Sequence, residues 1–168
     1  YIPSKYVGVL QYKLDGVTYY FIDNQEYFNC FVPYGDMRYD IEKFTFFDKA
    51  VLSMLPLIGF RPDIIHCHDW QAGLVPVYLK TLFAGDMFYT SMKSVMTIHN
   101  LQFQGKWDIK TIQEYSGLPD YVFTPDKLEI QKDASMLKGG LVYADKITTV
   151  SNTYAKEIQT PYYGEGLD

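Results

Sequence analysis

No stretch of this sequence approaches the roughly 20 consecutive apolar residues that a membrane-spanning helix needs, and no charged-then-apolar leader pattern opens it. A soluble, cytoplasmic protein with no membrane partner is therefore expected. Basic residues are few and scattered: 15 Lys and Arg against 20 Asp and Glu give a net charge of -5, with a pI near 5.1. Nucleic acid binding needs a clustered excess of cations to displace counterions, so that partner class is excluded. Glycine-rich phosphate loops of the dinucleotide or Walker type are missing, and so is the G-x-S-x-G turn of a serine hydrolase. Internal repeats and low-complexity linkers are absent too.

Cysteine is nearly absent as well. Cys30 and Cys67 are the only two, too few for a disulfide framework. Cys67 lies between His66 and His68, which invites a metal site. On a strand, however, neighbours face opposite sides, so only the two histidines could share a ligand. The pattern reads as a buried free thiol, and no metal is expected.

What the sequence does hold is an ordinary globular balance over 168 residues, 48% hydrophobic and 21% charged. The aromatic share, 17% with 16 tyrosines, suits plain packing first and sugar-facing walls second. Residues 5–23 read as a hairpin around Asp15-Gly16, a dipeptide that supplies the positive φ angles of a tight turn. Residues 24–38 lack periodicity and read as a loop. Asp40 then fits an N-cap, with Ile41, Phe44, Phe47, Val51 and Leu55 as the buried stripe of a helix closed by Pro56 and Gly59. DIIHC reads as a strand, Asp69 as the start of a helix to residue 80 kinked at Pro76, and SVMTI as a second strand. A helix from Thr124-Pro125 to about 143, a third strand ADKITTV and a helix from Ser151 follow. Such alternation predicts an α/β fold, a parallel sheet flanked by helices.

In open parallel sheets ligands bind beyond the carboxyl ends of the strands. Three strand ends deliver polar groups there: His68-Asp69-Trp70-Gln71, His99-Asn100 and Ser151-Asn152. Asp69 and His99 lie 30 residues apart, one strand–helix–strand step, so adjacent strands would open both on one cleft. Spacing alone leaves two readings open: a site, or helix caps at Asp69 and Ser151 beside a hydrogen-bonded turn at His99.

The segments PDIIHCHDWQAGLVPVYLK, SVMTIHNLQFQGKW and ADKITTVSNTYAKEIQTPYYGEGLD, with YFIDNQEYF and VPYGD, resemble successive blocks of the bacterial glycogen synthases and plant starch synthases. The resemblance implies a retaining glucosyltransferase of GT-B type, with two Rossmann-like domains of three-layer form, that transfers glucose from ADP-glucose to the non-reducing end of an α-1,4-glucan without a metal or other cofactor. By motif, His99 is similar to the family's active-site histidine beside the donor glucose, and Asp69 to its essential acidic residue. These two would be catalytic. Tyr34 looks like the tyrosine lining the donor site, and Asn100, Trp70 and Gln71 would be further substrate contacts.

The family's first strand with its lysine and Gly-Gly loop has no counterpart here, nor has the C-terminal domain with the cations that neutralise the diphosphate. Residues 1–168 are accordingly expected to be one partial N-terminal domain, inactive alone, able to self-associate through an exposed sheet edge. The competing readings are a UDP-sugar-dependent retaining transferase of the sucrose-synthase-like class and a noncatalytic glucan-binding module. Residues outside these blocks choose the donor base, and isolated glucan modules tend to be β-sandwiches.

Overall fold

The computed structural model describes residues 4–168. Its centre is a parallel three-stranded sheet, β3 (Ile64–His68), β4 (Lys93–Ile98) and β8 (Lys146–Thr149), in the order β3-β4-β8. The register aligns His68 with Thr97 and Ile98 with Thr149, so all three strands end at one edge. Among the described residues β3 and β8 each pair with β4 only. Neither has a strand on its other side among the described residues, and Ile64 and Ile147 are exposed.

Before the sheet come β1 (Gly8–Leu14) and β2 (Val17–Asp23), an antiparallel ribbon. Its turn is the expected one, with Asp15 at φ 49° and Gly16 at φ 79°. Residues 24–38 are more ordered than their composition predicts. Asn24 caps a single turn, α1 (Gln25–Phe28), by accepting from the Tyr27 N–H at 3.0 Å. The long helix α2 (Met37–Leu57) then begins earlier than expected, because Asp36 caps it by accepting from the N–H groups of Arg38 (3.1 Å) and Tyr39 (3.3 Å). Asp40 is no cap; it is buried in the first turn. The buried stripe is displaced too. It runs Ile41, Thr45, Asp48, Leu52 and Leu55, while Phe44, Phe47 and Val51 are only half-buried. Two polar residues on the inner face hid the true helical phase from a count of apolar positions.

After β3 the chain makes a 3-10 turn (Trp70–Ala72) and only then α3 (Leu74–Lys80). Pro76 therefore falls in the first turn of α3, where its missing N–H would have had no partner, and no kink is required. Further on, β5 (Lys106–Asp108) leads into α4 (Ile109–Ser116). The helix expected from Thr124-Pro125 is replaced by a hairpin, β6 (Glu129–Ile130) and β7 (Asp133–Ser135). Its turn is made by Gln131 and Lys132, both left-handed at φ 55° and 72°. Neither is a glycine or asparagine, so the usual signal was missing. Ser135 caps the actual helix, α5 (Met136–Tyr143), and Ser151 caps α6 (Asn152–Glu157) as expected.

The core gathers Leu74, Val77 and Tyr78 of α3, Met96 and Ile98 of β4, and Met136 and Leu137 of α5. α3 and α5 touch through glycine. A Cβ on Gly73 would sit 2.2 Å from the Met136 carbonyl oxygen, and one on Gly140 would sit 3.0 Å from the Gly73 carbonyl. We expect Gly73→Ala to push α5 away from α3 and cost about 2–3 kcal/mol as an overpacking change. A urea midpoint equal to wild type would show that the two helices can separate freely.

Candidate functional site

At the common end of β3 and β4 the Asp69 N–H donates to the Thr97 carbonyl at 3.0 Å, continuing the ladder one residue past the strand. The chain then turns with Asp69 at φ 56°, ψ -171°, a conformation L residues rarely adopt. The turn throws the carboxylate away from its own helix, which it does not cap. Instead Asp69 Oδ1 accepts from the His99 N–H at 2.8 Å and from the Asn100 N–H at 3.4 Å. The structure thus sets aside the reading of Asp69 as a cap of the following helix: it tethers the loop after the neighbouring strand.

His99 is held at its ring as well. Its Nε2 lies 3.0 Å from His68 Nδ1, and the rings are 5.2 Å apart. The His68 ring lies 4.2 Å from that of His66, tilted by 36°, on the face that strand alternation gives both, and His66 Nε2 reaches Thr97 Oγ1 at 2.6 Å, which meets Thr148 Oγ1 at 2.7 Å. Burial first, then the neighbouring His66 and His99, holds the His68 pKa below the usual histidine value. His68 is therefore a neutral partner for His99 near pH 7. On the opposite side of β3, Cys67 is buried and its thiol is pushed up to about 12 by burial and the nearby Asp48. It is a packing residue, while Cys30 is exposed in the loop after α1.

Tyr34 arrives from the loop before α2. Its hydroxyl accepts from Gln71 Nε2 at 3.0 Å, which joins it to the segment that carries Asp69. Asn100 folds its side chain back, Oδ1 accepting from the Gln102 N–H at 3.0 Å. Trp70 is placed differently from the expectation that it lines the cleft. It is buried, edge-on to Phe44 at 5.1 Å, beneath Gly105, whose added Cβ would meet the indole at 2.3 Å. It packs under Gly105 and against Phe44, whose ring in turn neighbours that of Tyr34. Ser151 caps α6 by accepting from the Tyr154 N–H at 3.0 Å.

Three supports escaped sequence reasoning. Strand alternation puts His68 on the same side as His66, but nothing in the spacing shows that its ring reaches His99. Tyr154, whose hydroxyl accepts from the Leu101 N–H at 2.9 Å, holds the His99 loop from the far side. Asp48 lies fully buried on α2 and accepts from the Leu74 N–H at 2.8 Å, which fixes the start of α3; burial raises its pKa well above the carboxylate range. Nothing in local spacing announces either of these two.

The result is an exposed strip of imidazole, amide, phenol and carboxylate at the carboxyl end of a parallel sheet. Neutral donors and acceptors with one carboxylate suit a polyhydroxyl ligand, and no lysine or arginine stands among them to meet a phosphate. Among the described residues no three His, Cys, Asp or Glu side chains are grouped to hold a metal ion.

The family described as the starch synthase catalytic domain matches residues 1–168. A glycogen synthase of Lachnospira eligens is 61% identical over 165 residues, covering 98% of this chain and 34% of its own length. One from Lachnoclostridium phytofermentans is 59% identical with the same coverage. Among solved structures, the catalytic domain of starch synthase IV from Arabidopsis thaliana, bound to ADP and acarbose, superposes with a TM-score of 0.88 at 30% identity, covering 96% of this chain and 34% of that one. The chain therefore spans about a third of the length of these relatives.

Proposed function

Because this chain belongs to the starch synthase catalytic domain family, we propose that it supplies the acceptor and glucose-binding wall of an enzyme that moves glucose from ADP-glucose to the non-reducing end of an α-1,4-glucan with retention. The carrying observation is the Asp69 tether, which fixes His99 and Asn100 at the strand ends beside Gln71 and Tyr34. In the reaction the bond from the anomeric carbon to the diphosphate breaks and a bond to the glucan 4-oxygen forms; that hydroxyl loses its proton, and ADP departs.

During this exchange the glucose ring flattens and gains positive character. A group that hydrogen-bonds a sugar hydroxyl in one fixed orientation then stabilises the transition state more than the bound sugar. His99 is built for that task. Its Nε2 is occupied by His68, and its Nδ1 has no partner among the described residues. Tyr34 would line the donor pocket, and Asn100 and Gln71 would offer amides to sugar hydroxyls. The departing diphosphate needs positive charge that none of these residues provides, so residues 1–168 alone should not turn over a donor. The edges of β3 and β8, which no strand pairs among the described residues, would let copies of it associate, which sedimentation at rising concentration tests.

The activity is tested by incubating the natural polypeptide with glycogen and radiolabelled ADP-glucose or UDP-glucose in parallel. Incorporation from ADP-glucose is expected. Incorporation from UDP-glucose alone would favour the sucrose-synthase-like reading, and glycogen binding without transfer from either donor would favour a noncatalytic module.

A further inference from the structure

Lys43 and Asp40 lie one turn apart on α2, and both are almost completely buried. The ammonium donates to Asp40 Oδ1 at 2.7 Å and to the Pro33 carbonyl at 2.6 Å, and it lies 4.8 Å from the Phe44 ring centre. The other carboxylate oxygen, Asp40 Oδ2, accepts from the Gly35 N–H at 2.9 Å. The pair therefore grips the backbone on either side of Tyr34, and on no other residue of that loop. Among the described residues, positions 29–35 make just one more hydrogen bond, from Gln71 to the Tyr34 hydroxyl.

We propose that the buried Asp40–Lys43 pair is a clip that positions Tyr34, so that these two residues, which touch no ligand themselves, set the affinity of the site for the sugar-nucleotide donor. Stability is a poor reason for such a pair, since stripping two charges of water offsets their attraction, and apolar residues of similar size commonly do as well or better. Apolar residues could not hold one carbonyl and one N–H on both flanks of a single side chain. The loop is otherwise poorly anchored: Phe31 and Val32 are exposed, and positions 29–35 belong to no helix or strand. Beyond the clip, the Tyr34 side chain has its bond to Gln71 and lies with its ring 6.2 Å from that of Phe44, tilted by 44°, while Phe44 in turn meets Trp70 edge-on. Without the clip those two contacts would have to place the ring alone.

The donor-affinity half of this inference rests on the proposed function; the positioning half does not, and the test separates them. Removing one charge leaves the other buried and risks unfolding, so the informative variant is the pair Lys43→Met with Asp40→Asn. It buries no charge, keeps an acceptor for Gly35 and loses the grip on Pro33. Lys43→Arg is the conservative control. In the natural polypeptide, chymotrypsin cleavage after Tyr34 is compared with cleavage after Tyr121, an exposed site on another part of the chain that corrects for general loosening. The ratio should rise about tenfold in the double variant and stay near wild type in Lys43→Arg.

In the same proteins the KM for ADP-glucose should rise about tenfold in the double variant while kcat changes less than threefold, with Lys43→Arg restoring most of the loss. An unchanged cleavage ratio overturns the clip. An unchanged KM in the double variant, when Tyr34→Ala raises it, overturns its link to donor binding. If Tyr34→Ala itself leaves KM unchanged, the reading of Tyr34 as a donor contact fails, and the cleavage ratio still decides whether the clip exists.

Discussion

Replacing His99 with alanine in the natural polypeptide should lower kcat for glucosyl transfer by about a hundredfold or more and leave the KM for glucan near its wild-type value. One oriented contact to a developing charge is worth about 2–4 kcal/mol, and its loss falls on the chemical step because the contact strengthens only as the sugar flattens. The structure explains why the orientation is fixed. The His99 N–H is held by Asp69, its Nε2 by His68, and the loop behind it by Tyr154. A free imidazole would sample several rotamers and give up part of that advantage. Steady-state rates at saturating ADP-glucose across a glycogen series make the measurement. Near-normal kcat with a raised KM for glycogen would make His99 an acceptor contact and overturn its assigned role.

Much of this arrangement could be read from the chain before any coordinates. The alternation of DIIHC, SVMTI and ADKITTV with helical stretches set the parallel sheet, and 30 residues between Asp69 and His99 matched one crossover between adjacent strands. Those signals are local and periodic, which is why they survive. Most of the failures come from polar side chains that bond outside the role their position suggests. Asp40 resembles a helix cap in sequence but pairs with Lys43 and reaches back to Gly35, and Asp69 resembles one but reaches across to the next strand. Thr45 and Asp48 broke the apolar phase of α2 because Asp48 is used to hold the start of α3. Gln131 and Lys132 turn a hairpin without the usual turn residues, helped by Glu129, whose Oε1 accepts from the Lys132 N–H at 2.8 Å. The likeness to known synthases pointed to Tyr34, but only the packing around it showed what holds it in place.

Asp69 separates three effects that a single substitution would confuse, so the outcome is best stated for a set. Both backbone bonds go to Oδ1, and Oδ2 has no partner among the described residues. Asp69→Asn therefore keeps the tether and removes only the charge. If the carboxylate offsets positive character on the flattened sugar, kcat should still fall by about a hundredfold, close to 2.7 kcal/mol, with no change in stability. Asp69→Ala and Asp69→Gly lose the tether as well, so both should fall at least as far in kcat. They should differ from each other in stability, and in the unusual direction. Elsewhere alanine outranks glycine by about 0.5–1 kcal/mol, because glycine has more freedom to lose on folding. Here the backbone stands at φ 56°, ψ -171°, where a Cβ costs on the order of 1–3 kcal/mol. The glycine variant should therefore be the more stable of the two by about 1 kcal/mol, read from urea midpoints at equal slope. An alanine variant as stable as glycine would show that the turn relaxes once the tether is gone. An asparagine variant with near-normal kcat would show that Asp69 acts through position alone.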